Sequence, residues 1–268
     1  FVHRKGLLLF IPWLCKLAFR KLQSLVLYNS DDIETIVNQR ILPRDKCRLL
    51  HGSGVNTNHF RPFPTSRNES KFVFLFIGRI LYDKGLAEFV QAARKLEELG
   101  KPAECWVVGN FNYTNPSAVP KHQLMDWVTK RNIRYFGATD DVRQFIKEAD
   151  ILVLPAYGGE GIPRVILEAM AMGKPIITTT TAGCRETIQH DETGLLIPPR
   201  DASALLEAML YFLEMPQNEL QKMGEKCRRR VLENFDEKAI AARYLDIIQE
   251  VVTANQPSLA RAKHPAVF

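Results

Sequence analysis

The length, composition and charge of the chain exclude several classes of protein. Its 268 residues are 46% hydrophobic and 25% charged, which is ordinary for a globular protein of one large domain or two smaller ones. Residues 1–65 hold ten Lys and Arg against four Asp and Glu, which accounts for the whole net charge of +6. Because the rest of the chain is neutral and shows no basic stripe, we do not expect nucleic acid as a partner.

Five cysteines are scattered along the chain at Cys15, Cys47, Cys105, Cys184 and Cys227. They form no CxxC pair and no close cluster with histidine. This pattern argues against a disulfide framework and against a zinc site. We therefore expect no metal and a reducing compartment.

The first predicted element is an apolar stretch over residues 6–19. It is flanked by the basic residues Arg4, Lys5, Lys16, Arg20 and Lys21. A transmembrane helix needs about 20 apolar residues, whereas here Lys16 interrupts the run and Pro12 lies inside it. A signal peptide would need a start methionine and a cleavage site, and neither is present. Two interpretations stay open: a basic apolar helix lying on a membrane surface through residues 1–25, and a core helix with a solvated basic face.

Short apolar runs predict strands at 24–28 and 47–50, with a helix over 32–39 between them. The proline-containing segment 58–68 is the best candidate for a linker. The chain begins at Phe1 rather than methionine, so we expect it to be a fragment of a longer protein.

After the linker, strand and helix patterns alternate. The continuous apolar run at 72–78 is typical of a strand buried on both faces of a parallel sheet. A last helix over 238–251 carries an apolar stripe, and the tail from Ala254 shows no pattern. The predicted strands are 72–78, 105–108, 133–136, 151–154, 175–179 and 194–197, and the predicted helices are 86–96, 122–130, 141–148, 163–172 and those from 202 onward.

This alternation predicts an α/β fold with a doubly wound parallel sheet. Ligands of such sheets bind beyond the carboxyl ends of the strands. That rule selects the loops 78–84, 109–115, 137–140 and 156–163 as the candidate binding edge.

Two carboxylates lie around the start of the helix predicted at 163–172. Glu160 lies just before the helix, Pro163 is predicted as its first residue, and Glu168 lies in its second turn. Free N–H groups at a helix start attract anions, and helical side chains tilt toward that end. A diphosphate at the helix start, with a ribose near one carboxylate and a hexose near the other, fits this arrangement. The alternative is an ordinary solvated helix face.

The turn after the first strand of the alternating region carries two cations. Gly78 and Arg79 open this turn, and Lys84 and Gly85 close it. Arginine can bind phosphate oxygens in a fork, and lysine acts as a point charge. The pair is suited to a departing nucleoside diphosphate, although two exposed turn residues are the simpler alternative.

Three segments carry a family resemblance: EGIPRVILEAMAMGKPIITTTTAGCRETI, GRILYDKG upstream of it, and GSGVNTNHF before that. Together they resemble family four of the retaining glycosyltransferases, which have two Rossmann-like domains facing across a cleft (the GT-B fold). The resemblance implies that Glu168 binds the ribose and Glu160 the donor sugar. The other implied site residues are Arg79 and Lys84 at the diphosphate, Gly161 and Ile162 through their N–H groups, Gly109 and the region 134–137, with Arg134 and Gly137, near the base, and Gly78 among the residues that bind the nucleotide-sugar.

The same resemblance implies a reaction and a domain layout. The expected activity is transfer of a sugar, with retention, from a nucleotide-sugar, by family habit a UDP-sugar. The expected acceptor is a glycan or lipid-linked glycan of bacterial capsule, O-antigen or other polysaccharide, and no cofactor or obligatory metal is implied. We expect a cytoplasmic protein, peripheral on the inner membrane. The expected units are residues 1–62, a remnant of the acceptor domain; 63–235, the donor domain; 236–253, a crossover helix; and 254–268, a tail.

Two other functions stay open. A sugar-nucleotide epimerase has a similar two-domain fold and different chemistry. A non-catalytic nucleotide-sugar-binding protein is the second, since only part of the acceptor domain is expected and transfer would then be slow or absent. A dinucleotide dehydrogenase is disfavoured because no GxGxxG follows a strand.

Overall fold

A computed structural model describes residues 2–63, 71–111, 114–130 and 132–255, with the backbone alone for 2–9 and 255. Two parallel sheets lie in this part of the chain, one of two strands and one of six. The strands are β1 (Leu25–Leu27), β2 (Cys47–Leu49), β3 (Phe72–Ile77), β4 (Ala103–Val108), β5 (Arg134–Tyr135), β6 (Ile151–Leu154), β7 (Ile176–Thr179) and β8 (Gly194–Ile197). The helices are α1 (Val2–Ala18), α2 (Ser30–Asn38), α3 (Leu86–Glu98), α4 (Lys121–Thr129), α5 (Arg143–Glu148), α6 (Arg164–Ala171), α7 (Ala182–Arg185), α8 (Ala202–Glu214), α9 (Gln217–Asn234) and α10 (Glu237–Asn255).

The larger sheet has the strand order β5-β4-β3-β6-β7-β8, and every pairing in it is parallel. Strands β6 and β7 are buried along their whole length, as the apolar runs predict. Helices pack in pairs on the sheet, α3 with α8 and α6 with α9. The predicted doubly wound α/β fold is confirmed. The order reverses at β3 and β6, so these neighbouring strands form the switch point where such sheets bind ligands.

Several element boundaries differ from the sequence prediction. Pro163 is the residue that caps α6, and the helix itself begins at Arg164. The strand predicted at 133–136 is only the two-residue β5, at the edge of the sheet. Residues 202–255 form three helices, of which α10 is longer than the predicted 238–251 and runs to Asn255. Residues 256–268 of the predicted tail lie outside the described residues.

The first unit of the chain is small. β1 and β2 pair in parallel, and α2 packs on them around a core of Ile33, Leu42 and Cys47. Asn29 caps α2, because its side chain accepts a hydrogen bond from the N–H of Asp32 at 2.8 Å. The sequence prediction of strand, cap and helix in this segment is confirmed, with α2 beginning two residues early.

The apolar stretch at the start of the chain forms α1, and its described side chains are not core residues. Each of Phe10, Ile11, Trp13, Leu14 and Leu17 is between 43% and 59% exposed. This observation counts against the core-helix interpretation. None of the helices in the described ranges combines the length and the apolar character that crossing a bilayer requires.

The chain passes between the two units twice, near Val55 and near Asp236, and the two crossings are in contact with each other. Val55 pairs with Asp236, and the hydroxyl of Thr57 donates to the Asp236 carboxylate at 2.6 Å. In the predicted linker 58–68, Phe60 is buried, so this part is packed rather than free; residues 64–68 lie outside the described residues. Helix α10 returns to the first unit, where the Tyr244 hydroxyl lies 3.3 Å from that of Tyr28. The domain limits at 62 and 235 remain predictions.

Candidate functional site

Three of the predicted site glycines meet at the carboxyl ends of β3, β4 and β5. The Gly109 N–H donates to the Gly137 carbonyl at 2.8 Å, and the Tyr135 hydroxyl donates to the Gly109 carbonyl at 2.8 Å. A Cβ on Gly109 would overlap the carbonyl oxygen of Gly78. Glycine is therefore required at 109, since the two loops approach too closely for a side chain.

The turn that carries Lys84 is pressed against the loop after β6. Gly85 has a φ of +77° in the left-handed region, and a Cβ there would overlap the carbonyl of Pro155. The carbonyl of Asp83 accepts from the N–H of Tyr157 at 2.9 Å and from that of Gly158 at 3.0 Å. These contacts fix the position of Lys84 relative to the glycine-rich loop at 157–163.

Lys84 and Glu160 form an ion pair at this edge. Their side chains are 14% and 15% exposed, so the pair is largely removed from water. The sequence prediction gave these residues to adjacent parts of one ligand, but it did not foresee their direct contact. In this arrangement each charge neutralises the other until a ligand competes for one of them.

Glu168 projects from the second turn of α6 and is largely buried, with its side chain 15% exposed. Burial raises the pKa of its carboxyl, and the nearby Arg164 guanidinium, 3.9 Å away, only partly opposes this. A carboxyl held in such a setting gains from hydroxyl donors, which stabilise its ionised form. Within the described ranges no group of three or more His, Cys, Asp or Glu is placed to hold a metal ion.

The start of α6 offers free hydrogen-bond donors. Among the described residues, the N–H groups of Gly161, Ile162 and Arg164 donate to no protein acceptor. They follow the carboxyl end of β6, at the switch point of the sheet. Free N–H groups at a helix start are suited to an anion such as a phosphate.

The two arginines predicted for the site have different settings. Arg79 is exposed on the loop after β3 and forms no ion pair within the described residues, so it is available to a ligand. Arg134 is engaged elsewhere: its guanidinium donates to Glu104 at 2.8 Å and lies over the rings of Trp106 and Phe136. In the pairing of β4 with β5, Arg134 lies opposite Trp106. Glu104 lies two residues before Trp106, nearer the amino end of β4, so the guanidinium points toward the amino ends of the strands. The structure does not bring Arg134 to the binding edge.

Residues of the first unit also reach this edge, and the sequence reasoning missed them. A Cβ on Gly161 would lie 3.4 Å from the ring of Tyr28, and a Cβ on Gly52 would lie 3.0 Å from Ile162. Gly52 has a φ of +72°, which favours glycine. The Gly-Ser-Gly that follows β2 was the available signal, because it marks the carboxyl end of a strand in the smaller sheet.

Comparison with known proteins shows the family of the chain. The profile of the family described as glycosyl transferases group 1 matches residues 59–230, well over half of the chain. A putative colanic acid biosynthesis glycosyltransferase, WcaL of Escherichia coli K12, is 27% identical over 214 residues, which are 77% of this chain and 52% of the relative. The N,N'-diacetylbacillosaminyl-diphospho-undecaprenol alpha-1,3-N-acetylgalactosaminyltransferase of Campylobacter jejuni is 28% identical over 250 residues, 89% of this chain and 63% of the relative. The chain thus spans between half and two thirds of these relatives.

Solved structures share the fold. A glycosyltransferase from Rickettsia africae superposes with a TM-score of 0.78 and 23% identity, over 90% of this chain and 67% of that one. Anabaena HepE, solved in complex with UDP, superposes with a TM-score of 0.77 and 18% identity, over 87% of this chain and 65% of that one. Because the family profile matches more than half of its residues, the chain belongs to the glycosyl transferases group 1.

Proposed function

We propose that this protein transfers a sugar from a nucleoside diphosphate sugar, with retention of the anomeric configuration, to a lipid-linked glycan acceptor in polysaccharide biosynthesis. The observation that carries the proposal is the position of the Lys84–Glu160 ion pair beside the free N–H groups that open α6. A cation, a carboxylate and a helix start then face one ligand that has both phosphates and hydroxyls.

The diphosphate of the donor is assigned to the start of α6. The N–H groups of Gly161 and Ile162 would donate to its oxygens, and Arg79 and Lys84 would add two positive charges. These four groups come from the loops after β3 and β6, the strands at which the order of the sheet reverses. They supply the charge neutralisation that a metal ion provides in other transferases, so we assign no obligatory metal.

The two carboxylates are assigned to the hydroxyls of the donor. Glu168 would accept from the ribose, since among the described residues no donor forms a hydrogen bond with its buried carboxyl, and its raised pKa falls when hydroxyls bind it. Glu160 would accept from the sugar while Lys84 turns toward the phosphates. Gly78, Gly109 and Gly137 form the rim on which the base would lie.

In the proposed reaction the bond between the anomeric carbon and the diphosphate oxygen breaks, and its electron pair stays on the diphosphate. The acceptor hydroxyl attacks from the same face, its oxygen forms the new bond to the anomeric carbon, and its proton passes to the departing phosphate oxygen. Arg79 and Lys84 stabilise the charge that develops there. The protein acts by holding donor and acceptor together and by this electrostatic stabilisation.

Names of relatives support the donor and acceptor classes. A UDP-Gal:alpha-D-GlcNAc-diphosphoundecaprenol alpha-1,3-galactosyltransferase of Escherichia coli is 24% identical over 244 residues, 87% of this chain and 62% of the relative. Both this enzyme and the Campylobacter relative are named for undecaprenol diphosphate acceptors. We therefore assign a UDP-sugar donor and an acceptor on a polyprenyl diphosphate.

A lipid-linked acceptor requires contact with a membrane, and α1 is the element suited to it. Its exposed Phe10, Trp13 and Leu17 lie three or four residues apart on one face, and Lys16 and Arg20 are exposed as well. The first 25 residues contain no Asp or Glu. We assign α1 to the cytoplasmic surface of the inner membrane, to be tested by sedimentation with anionic vesicles before and after Trp13→Ala and Leu17→Ala.

Calorimetry tests the donor site. Replacing Arg79 and Lys84 together with Ala should weaken binding of UDP by roughly a hundredfold, from two lost charge-assisted contacts, and leave binding of uridine unchanged. The matched control replaces Arg94 and Lys95, two cations of α3 that pair with the exposed Glu98. Equal losses for UDP and uridine would remove the pair from the diphosphate site.

Product analysis separates the rival activities. With a UDP-sugar alone, an epimerase converts the sugar and a transferase does not. With a polyprenyl diphosphate glycan added, transfer yields UDP and an elongated lipid. Binding of the donor with neither product would favour the non-catalytic alternative.

A further inference from the structure

One side chain of the larger unit, Glu186, joins it to the first unit. The backbone N–H and the hydroxyl of Ser30 both donate to Oε1 of Glu186, each at 2.7 Å. Ser30 is the first residue of α2, and Glu186 follows the last residue of α7. Hydrogen bonds to a carboxylate are the stronger kind, and a helix start favours negative charge.

The second oxygen of the same carboxylate faces His51. Its Oε2 lies 3.8 Å from Nδ1 of His51, and within the described residues neither of these two buried atoms has a hydrogen-bond partner. The ring of Phe235 packs edge-on against His51, and Arg230 donates to the backbone carbonyl of Glu186 at 3.0 Å. The carboxylate is thus enclosed by residues that follow β1 and β2 and by the junction of α9 and α10.

The other end of α7 touches the proposed donor site. A Cβ on Gly183 would overlap the carbonyl oxygen of Gly161, so α7 packs directly on the backbone of the glycine-rich loop. Tyr28 of the first unit lies against the same Gly161. One four-residue helix therefore contacts the sugar-binding loop at its start and the first unit at its end.

We propose that Glu186 is a positioning residue for the transfer reaction: by binding the start of α2 it holds the first unit over the loop of Glu160 and Gly161, in the arrangement that receives the donor sugar. This inference rests on the proposed function for its kinetic consequence. The physical reason is that α7 is short, so a displacement at Glu186 reaches Gly183 without being absorbed. The alternative is that Glu186 only stabilises the fold.

Burial lowers the pKa of His51, an effect that Glu186 opposes and that Arg243 and Arg230 reinforce. Burial therefore disfavours the charged imidazolium beside Glu186. The two hydrogen bonds from Ser30 are the ones that hold the carboxylate.

The experiment compares Glu186→Ala, Glu186→Gln, Ser30→Ala and the double Glu186→Ala, Ser30→Ala variant. Its first measurement is hydrogen exchange of the Ser30 amide, which needs no ligand. Glu186→Ala should speed this exchange roughly tenfold or more, because the N–H loses its acceptor. Glu186→Gln, whose amide oxygen can accept both bonds, should restore most of the protection. Unchanged exchange in Glu186→Ala would overturn the proposal, whatever the activity of the protein.

The second measurement is the kinetics of transfer. Glu186→Ala should lower kcat roughly tenfold while the dissociation constant for UDP changes less than about twofold, since Glu168 and the start of α6 are untouched. Ser30→Ala should add nothing in the Glu186→Ala background. The control is Asp31→Ala, which breaks the neighbouring exposed pair with Arg185 and should leave kcat unchanged. Additive losses, or equal loss of UDP binding, would mean that Glu186 acts on folding.

If UDP does not bind to the unaltered protein, the proposed function fails, and the exchange measurement still decides whether Glu186 holds α2. If UDP binds and transfer proceeds, but Glu186→Ala exchanges faster at Ser30 with kcat unchanged, the contact exists and the positioning role is overturned.

Discussion

The substitution Gly183→Ala tests the proposed donor site, because a methyl group at this position would collide with the backbone of the glycine-rich loop. An ideal Cβ at this position would lie 1.4 Å from the carbonyl oxygen of Gly161 and 2.5 Å from that of Glu160. Real Cβ atoms essentially never approach closer than 3.0 Å, so Gly183→Ala requires a relative shift of about 1.6 Å. Forcing extra volume into a packed site costs about 1–3 kcal/mol. For a protein of this size we expect a fall in Tm of several degrees.

The same shift should damage binding of the donor sugar more than the fold. A misplacement of about 1 Å can reduce catalysis roughly a hundredfold, and here the displaced backbone carries Glu160 and the N–H of Gly161. The assay is calorimetry with a UDP-sugar and with UDP, alongside thermal unfolding. Gly159→Ala is the control, because nothing lies within 4 Å of its Cβ and its φ is not positive. If Gly183→Ala binds the UDP-sugar as tightly as Gly159→Ala, α7 does not shape the site.

Two further substitutions probe the same edge. Burial raises the pKa of Glu168, so ionisation of this carboxyl destabilises the native state as the pH rises through that pKa. Glu168→Gln should therefore raise Tm at pH 7.5, and the gain should vanish toward pH 4. The same variant should weaken UDP binding roughly tenfold. A Tm gain that is independent of pH would contradict this cause. The Arg200 guanidinium lies 4.4 Å from the centroid of the Tyr157 ring, at the start of the glycine-rich loop. Arg200→Ala should weaken binding of the UDP-sugar about threefold to tenfold by calorimetry and leave UDP unchanged, whereas the control Arg94→Ala should affect neither.

The sequence was sufficient to predict the sheet and the loops that lie at the carboxyl ends of its strands. Continuous apolar runs such as 72–78 have few alternatives to a buried parallel strand, and all the predicted strands of the alternating region are present. Because parallel strands end at one edge, the loops that begin at Gly78, Gly109 and Gly137 were predicted to share an edge of the sheet, and in the structure these glycines are in contact there. The topology of a parallel sheet thus allows short local patterns to predict which distant loops lie close together.

The directions of individual side chains were not predictable in this way. Arg134 lies on the predicted strand β5, but its guanidinium is engaged by Glu104 and Trp106 of the neighbouring β4 and by the ring of Phe136. The contacts between the two units were not predicted from the sequence either. The hydrogen bonds from Ser30 to Glu186 join residues 156 positions apart, and no sequence pattern in either segment predicts them.

The Lys84–Glu160 ion pair has a consequence that distinguishes binding of the nucleotide from binding of the sugar. The pair is about 15% exposed, so its attraction is screened less than that of a surface pair. Before a diphosphate can use Lys84, this attraction must be weakened. Glu160→Gln removes the competing charge and keeps the shape of the side chain. We therefore expect it to tighten binding of UDP, by roughly threefold to tenfold.

Binding of a UDP-sugar should respond in the opposite sense. The same variant loses the charged acceptor for the sugar hydroxyls, which is worth about 1.5–3 kcal/mol for such hydrogen bonds. In Glu160→Gln the ratio of the affinity for the UDP-sugar to the affinity for UDP should therefore fall, and the fall should be larger than the factor by which UDP binding improves. In a Lys84→Met background Glu160→Gln should no longer improve UDP binding, because no cation remains to be released. Weaker binding of UDP by the single Glu160→Gln variant would show that Glu160 supports the diphosphate site instead of competing with it, and the assignment of Glu160 to the sugar would have to be withdrawn.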